Sequence, residues 1–320
     1  MESESIKNIL VSGASGIVGY GILKCLKNSN VRLFGSSIYD DTPANCFSDV
    51  ILNPPASTEK EYIPWLLHTI KEQSLDMIIP GIELDMEVWN NNRDAICETG
   101  CIPVLNDKSL IELCLDKWAF YQKMEDAGIE CRIKTSNEDN YDLFNTPFVV
   151  KPRKGFGSQG FRVIHNRDDY NECKSEIGNS LIIQEMVGVP EQEYTIACFF
   201  DFSSELKAII SLRRKLSKQG YTELAEVVDV NEEIKPIIME LARVFRPVGP
   251  TDFQFRRTEN GWKLLEINPR ISSSTSIRAA FGYNEAKMCI DYFIYGKDIE
   301  QPHITPGKAI RYVEDYIIKC

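Results

Sequence analysis

Over the first hundred positions, short apolar runs alternate with stretches of helical spacing. Ile9-Leu10-Val11 reads as a strand that runs into Gly13-Ala14-Ser15-Gly16, and Ile17 to Leu26 follows with apolar residues at helical intervals. Val31 to Phe34 and Val50 to Leu52 are further strands, and Tyr62 to Ile70 is an amphipathic helix. Met77-Ile78-Ile79 is a strand closed by Pro80-Gly81, Glu87 to Glu98 is a helix, and Ile102-Pro103-Val104 is the last strand of the series. Strand and helix in turn predict a doubly wound, mostly parallel sheet, because parallel neighbours need crossover connections.

Asn106-Asp107-Lys108-Ser109 marks a boundary, after which a helix is predicted from Leu110 to about Ala127, stopped at Gly128. Strands then dominate, at 147–151, 161–164, 181–185, 193–200, 207–213, 223–229, 251–256 and 262–267, with a final one from Ala309 to Val313. Helices fall near 168–178, 231–245 and 284–295. The turn Glu259-Asn260-Gly261 between two apolar strands predicts a hairpin. The expected fold class is therefore α/β plus α+β: a Rossmann-like unit over 1–106 and a second, largely antiparallel region over 107–320.

The chain has 320 residues, 43% of them apolar, enough for a large core. Acidic residues outnumber basic ones by 47 to 36, giving net charge −11, which disfavours wrapping by a nucleic-acid backbone but permits a local basic pocket. The N-terminal MESESIKN lacks a signal pattern, and apolar runs such as Ile196 to Phe200 are far shorter than the ~20 residues a bilayer requires. A cytoplasmic protein with no membrane partner is expected. Its ten cysteines then read as small buried hydrophobes. Cys97 and Cys101 have no second pair nearby, and His68, His165 and His303 are isolated, so a structural zinc is not expected.

Two motifs carry competing chemistry. Gly13-Ala14-Ser15-Gly16-Ile17-Val18-Gly19 follows a strand and opens a helix, as in a dinucleotide-binding turn, with Asp40 or Asp41 placed to accept ribose hydroxyls. The same glycines also fit a tight turn and close helix–sheet packing. Ser158, Tyr170 and Lys174 repeat the Ser and Tyr-x-x-x-Lys arrangement of short-chain dehydrogenases, although Ser158 lies in a glycine-rich loop and Tyr170 follows a carboxylate-rich helix start. Together these features define an NAD(P)-dependent dehydrogenase or epimerase as one function class.

The second motif begins with Phe148-Val149-Val150-Lys151, a strand ending in a lysine. Arg153-Lys154-Gly155-Phe156-Gly157-Ser158-Gln159-Gly160 follows, then a second strand, Phe161-Arg162-Val163-Ile164. Such a loop can fold over a triphosphate, donating N–H groups and neutralising charge. Leu181-Ile182-Ile183-Gln184-Glu185-Met186-Val187 offers a strand edge to an adenine ring, and Glu193 is placed for ribose hydroxyls. Near the C-terminus, Thr251 to Arg256 faces Trp262 to Asn268, followed by Pro269-Arg270. Period-two alternation sets Glu266 and Asn268 on one face, and hairpin pairing can bring Gln254 beside them. Three oxygen donors without His or Cys suit Mg²⁺ bridging phosphates, and Arg270 adds a planar cation.

These residues resemble the ATP-grasp superfamily, particularly ligases similar to biotin carboxylase and the carbamoyl phosphate synthetase large chain, over almost the whole chain. The resemblance runs through Leu115-Asp116-Lys117, Val149-Val150-Lys151, the glycine loop, Gln184-Glu185-Met186-Val187, Glu193-Tyr194, Gln254 and Glu266-Ile267-Asn268-Pro269-Arg270. It implies a pre-ATP-grasp domain over 1–106 and an ATP-grasp domain over 107–320. Within the latter, a lid occupies about 128–187, and the central and C-terminal part about 188–320. It implies that Lys117 and Lys151 contact ATP phosphates beneath Gly155, Gly157, Ser158 and Gly160. Glu185 and Val187 form an adenine hinge, within the edge Gln184 to Val187, and Glu193 takes the ribose. Gln254, Glu266 and Asn268 hold Mg²⁺, with Mn²⁺ as an alternative. Arg270 stabilises an acyl phosphate or substrate carboxylate, and Arg213 and Arg214 reach the phosphate and substrate region.

The implied activity is an ATP- and Mg²⁺-dependent ligase joining a carboxylate to an amine or similar nucleophile, with small-molecule substrates; a homodimer is common among relatives. Position 254 is Gln where many relatives carry Asp or Glu, so its metal contact is neutral. A non-catalytic ATP-binding protein of the same shape is the third function class.

Overall fold

The computed structural model describes residues 6–155, 160–217 and 220–317. The chain opens with β1 (Lys7–Val11), α1 (Ile17–Leu26), β2 (Val31–Ser36), β3 (Val50–Leu52), α2 (Tyr62–Glu72), β4 (Met77–Ile79), α3 (Glu83–Asn91), α4 (Arg93–Cys97) and β5 (Ile102–Pro103). The five strands form a parallel sheet in the order β3-β2-β1-β4-β5. The single helix expected over 87–98 starts earlier and is two: Asn92 leaves helical geometry, and its side-chain amide donates to the Val88 carbonyl at 2.8 Å.

Two helices follow, α5 (Lys108–Cys114) and α6 (Lys117–Asp126), where one was expected over 110–127. The break is chemical. The Asp116 carboxylate accepts from the N–H groups of Trp118 and Ala119, capping α6 in the middle of a continuous apolar stripe that periodicity reads as one helix. Next come β6 (Thr135–Ser136), β7 (Phe148–Pro152), β8 (Arg162–Ile164), α7 (Arg167–Asn171) and β9 (Leu181–Glu185), which build a four-stranded antiparallel sheet in the order β6-β9-β7-β8.

The remainder supplies β10 (Glu193–Phe200), β11 (Leu206–Leu216), β12 (Thr222–Val227), α8 (Asn231–Phe245), β13 (Gly249–Thr258), β14 (Gly261–Asn268), α9 (Thr275–Ala280), α10 (Glu285–Cys289) and the short edge strand β15 (Lys308–Ile310). Its six-stranded antiparallel sheet has the order β14-β13-β10-β11-β12-β15. β10 lies inside the sheet and is buried on both faces along all eight residues. α8 covers one face through Ile234, Ile238, Leu241, Ala242 and Phe245, spaced as an amphipathic stripe. The architecture is thus mixed α/β, a parallel sheet followed by antiparallel ones.

One apolar cluster joins the parallel sheet to the other face of the six-stranded sheet: Ile9, Val11, Ile22 and Leu23 pack with Ala197, Phe199, Ile210 and Leu212. Asn106, 3% exposed, sits at the crossing between the two. Its side-chain amide donates to Thr251 Oγ1 at 2.8 Å, and its Oδ1 accepts from Val248 N at 2.8 Å. The four-stranded sheet has a separate core of Phe148, Val150, Ile164, Tyr170, Cys173 and Ile183. Among the described residues, no helix is long and apolar enough to cross a membrane.

Candidate functional site

A cleft of about 700 Å³ opens between the four-stranded sheet, α6 and the β13–β14 end of the six-stranded sheet. Lys117, Lys151, Gly155, Gln184, Glu185, Met186, Val187, Glu193, Gln254, Glu266 and Asn268 all line it, although they span more than 150 positions of chain. Gly160 is not among the lining residues. Gly157 and Ser158 lie outside the described residues.

Asp116 builds the mouth. Besides capping α6, it takes a bidentate pair from Arg153, Nε to Oδ1 at 2.8 Å and Nη2 to Oδ2 at 2.7 Å. That pair, with the Arg153 carbonyl accepting from Lys117 N at 2.9 Å, ties the glycine strap to the start of α6. The hydrogen bond from Arg153 holds the Asp116 carboxyl below its ordinary range. Lys117 then reaches across the strap, its Nζ donating to the Gly155 carbonyl at 2.7 Å. Burial, and after it the nearby charge of Lys151, lower the Lys117 pKa.

Lys151 lies on the opposite wall. Its Nζ donates to Gln184 Oε1 at 2.8 Å and lies 3.4 Å from the Tyr121 hydroxyl and 5.0 Å from the centre of the Tyr121 ring. The hydroxyl donates onward to the Leu265 carbonyl at 2.7 Å, and Gln184 Nε2 donates to Thr135 Oγ1 at 2.9 Å. Loss of hydration pulls the Lys151 pKa down to about 8, although Glu266 favours its charge. Tyr121 is a site residue that sequence reading missed, because an aromatic on an amphipathic helix looks like core.

At the strand edge, the Glu185 N–H donates to the Lys134 carbonyl at 2.9 Å, and the Val187 carbonyl accepts from Arg256 Nη1 at 3.1 Å. Glu193 is 5% exposed and is held by two arginines. Arg214 Nε and Nη2 donate to its Oε1 at 3.2 and 3.0 Å, and Arg256 Nη2 donates to its Oε2 at 2.7 Å. A carboxylate accepts about four hydrogen bonds, so three seated donors leave one position for a ligand hydroxyl. Arg256 was the second residue missed, since one more Arg on a polar-alternating strand carries no spacing signal.

Gln254 pairs with Glu266 and Asp252 with Asn268 across the β13–β14 hairpin. Glu266 and Asn268 share a face, and Asn268 Nδ2 donates to Glu266 Oε1 at 3.2 Å. The donor set is all oxygen, which fits a hard cation. Gln254 Oε1 accepts from Arg214 Nη2, which leaves it one further lone pair beside the oxygens of Glu266 and Asn268. Among the described residues, no group of three His, Cys, Asp or Glu side chains is placed to hold a metal. A cation held here needs further oxygens from a ligand, as a phosphate supplies.

The two strand arginines part company. Arg214 is 5% exposed and lies beneath the cleft floor, whereas Arg213 points from the opposite face of β11 and pairs with Glu226. The expectation that both reach the site is corrected by this alternation, and neither lines the cleft. Arg270 lies just beyond β14, where its Nη2 donates to Glu83 Oε1 at 2.7 Å and its Nη1 to the Ile271 carbonyl at 2.9 Å. Glu83, from the parallel-sheet region, lines the cleft and was also missed.

Of the dehydrogenase constellation, Ser158 lies outside the described residues, and neither Tyr170 nor Lys174 lines the cleft. Tyr170 is 2% exposed in the core of the four-stranded sheet, its hydroxyl donating to Asp139 Oδ1 at 2.7 Å, and Lys174 lies 3.6 Å from the same carboxylate. Close approach of backbone confines two glycines here: a Cβ on Gly19, in α1, would stand 2.3 Å from the Gly13 carbonyl oxygen, and one on Gly81, after β4, would stand 2.1 Å from the Ser12 carbonyl oxygen.

Residues 179–316 match the model of a family described as ATP-grasp in the biosynthetic pathway with Ter operon. No curated protein sequence matches the chain. Among solved structures, N5-carboxyaminoimidazole synthetase from Staphylococcus aureus, complexed with ADP, is similar at a TM-score of 0.74. It is 16% identical, and the match covers 93% of this chain and 80% of that one. The biotin carboxylase domain dimer of Hydrogenobacter thermophilus 2-oxoglutarate carboxylase, in complex with MgADP, ADP and bicarbonate, is similar at 0.71. It is 15% identical, with 96% and 74% covered. The L-amino acid ligase from Bacillus licheniformis is similar at 0.68, with 13% identity and 93% and 76% covered. With this architecture shared along most of its length, the chain has the ATP-grasp fold, and its residues 179–316 match an ATP-grasp family model.

Proposed function

We propose that the protein is a cytoplasmic ATP- and Mg²⁺-dependent ligase that activates a carboxylate as an acyl phosphate for attack by an amine or similar nucleophile. The observation carrying this reading is the convergence of two lysines from separate elements, Lys117 and Lys151, on one cleft with the Glu266–Asn268 pair. Neighbours of the same fold were solved with ADP or MgADP, which supports placing a nucleotide here.

In this reading Lys117 and Lys151 bind the phosphates, and the strap through Gly155, Gly157, Ser158 and Gly160 covers them and excludes water. The edge Gln184 to Val187 receives adenine, with the Glu185 carbonyl and the Val187 N–H as its polar groups. Glu193 uses its remaining acceptor position for a ribose hydroxyl. Glu266 and Asn268 hold Mg²⁺ or Mn²⁺, with Gln254 beside them; the metal, when bound, offsets phosphate charge. Arg214 fixes Glu193 and Gln254 from below. Arg270 balances charge on the activated carboxylate.

A substrate carboxylate oxygen attacks the γ-phosphorus, the bond to the β–γ bridging oxygen breaks, and ADP leaves. The nucleophile's nitrogen then attacks the acyl carbon, inorganic phosphate leaves, and the nitrogen releases a proton. The protein's contribution is positioning and fixed positive charge.

Calorimetric titration with MgADP, NAD⁺ and NADP⁺ on wild type and Lys151→Ala tests the reading. MgADP binding that the substitution abolishes is expected. Dinucleotide binding indifferent to Lys151, with no MgADP signal, overturns it.

A further inference from the structure

The ion pair between Glu83 and Arg270 stands at the edge of the cleft, which Glu83 lines and Arg270, next to the lining residue Pro269, does not. Its side chains are 20% and 13% exposed, and it joins the first residue of α3 to the exit of β14. Glu83 lines the cleft, and it lies at the phosphate end: its charge acts on Lys117 and on Cys114, as does that of Glu266. Two donors on the strap after β14 are buried without partners, Arg270 Nε and Ser272 Oγ. Ser272 is 6% exposed.

A substrate bearing only a carboxylate fits this arrangement poorly. It would compete for Arg270 against Glu83 and leave that carboxylate little hydrated beside it, with the charge of Lys117 as its remaining support. Stripping one partner from a sheltered ion pair is costly unless another replaces it. A zwitterion replaces both at once: its carboxylate takes Arg270, its ammonium takes Glu83, and the net charge of the site is unchanged. Met86, Cys114, Leu115 and Pro269 provide apolar lining near this end for a side chain.

Resting on the ligase reading above, we infer that the activated carboxylate belongs to an α-amino acid, with Glu83 as the residue that selects for its ammonium group. Glu83 is a specificity residue; the acyl transfer proceeds as already written.

The test measures hydroxamate formation from MgATP, hydroxylamine and each of the twenty α-amino acids against its des-amino counterpart. For leucine the counterpart is 4-methylpentanoate. At least one amino acid should exceed its counterpart about tenfold in kcat/KM. Glu83→Gln should shrink that ratio about tenfold, mainly through KM, and Glu83→Asp should restore part of it. MgADP titration shows whether each variant retains its fold. Equal use of des-amino acids, or MgADP binding by wild type with no amino acid converted, overturns the inference and leaves the nucleotide site standing. Equal loss of both substrate types in Glu83→Gln also overturns it, making the pair a structural tie. Absence of MgADP binding by wild type overturns the ligase reading itself.

Discussion

Lys151 and Gln184 occupy adjacent strands of the four-stranded sheet, and the ammonium is anchored to the amide oxygen at 2.8 Å before any ligand arrives. With the Tyr121 ring beneath it, this lysine is held in place at the cleft wall rather than free to sweep it.

The lowered pKa of Lys151 makes nucleotide affinity pH-dependent. Below about pH 8 the lysine is charged and binding is strongest; above it, MgADP affinity should fall, approaching tenfold per pH unit until other groups titrate. The stability effect has the opposite sign. The folded pKa is depressed, so the cost of burying the charge is fully present below about pH 8 and is relieved as pH rises toward the unfolded value of 10.5. Titration calorimetry and thermal unfolding between pH 7 and 10 check both, and Lys151→Ala should flatten the two profiles.

Gln254 sits opposite Glu266, so Gln254→Glu brings a second carboxylate to the face that holds the proposed metal. The concentration of Mg²⁺ giving half-maximal ADP binding should fall several-fold, and Glu266→Gln should raise it. The contact with Arg214 keeps the new carboxylate paired in the metal-free protein. Calorimetry across a Mg²⁺ series reads both variants.

Beneath the same hairpin, Arg278 donates to Asp252 and Glu285, and all three side chains are fully buried. Burial opposes the guanidinium charge, but the two carboxylates more than offset it and raise its pKa. Arg278→Ala strands both acids and should cost about 3–5 kcal/mol in urea unfolding. Adding Asp252→Asn and Glu285→Gln to the same variant should recover part of the loss.

Asp116→Asn weakens the tie between α6 and the glycine strap. The Asp116 carboxyl is held below its ordinary range by Arg153, so its contribution to stability is present above the unfolded carboxylate pKa and lost as pH falls through the folded value. The variant should melt at a lower temperature at pH 7 and show a shallower acid dependence below pH 4. Thermal scans from pH 3 to 7 measure it.

Most strands were legible because alternation and burial agree along them: β10 spans the expected 193–200 and α8 the expected 231–245. The helix breaks at Leu115-Asp116 and at Asn92 were not, because side-chain caps end helices without disturbing the apolar period. In the site, residues with a strong local pattern stood out: the lysine ending a strand, the glycine loop, and Glu266 with Asn268. Tyr121, Arg256 and Glu83 did not, since their roles depend on contacts with Leu265, Glu193 and Arg270 that lie 63 to 187 positions away. The separation of Arg213 from Arg214 is visible in strand alternation, but choosing the one that reaches Glu193 and Gln254 required knowing which face α8 covers.

Asn106 has a consequence for any attempt to divide the molecule. Its side chain is built into the start of β13, and the apolar surface around it is shared between the parallel and six-stranded sheets. Residue 106 is therefore a rivet rather than a swivel. A fragment beginning at 107 would bare Ala197, Phe199, Ile210 and Leu212 to water and would aggregate. The four-stranded sheet stands apart from that shared surface, because Phe148, Val150, Ile164, Tyr170, Cys173 and Ile183 form an apolar interior of its own.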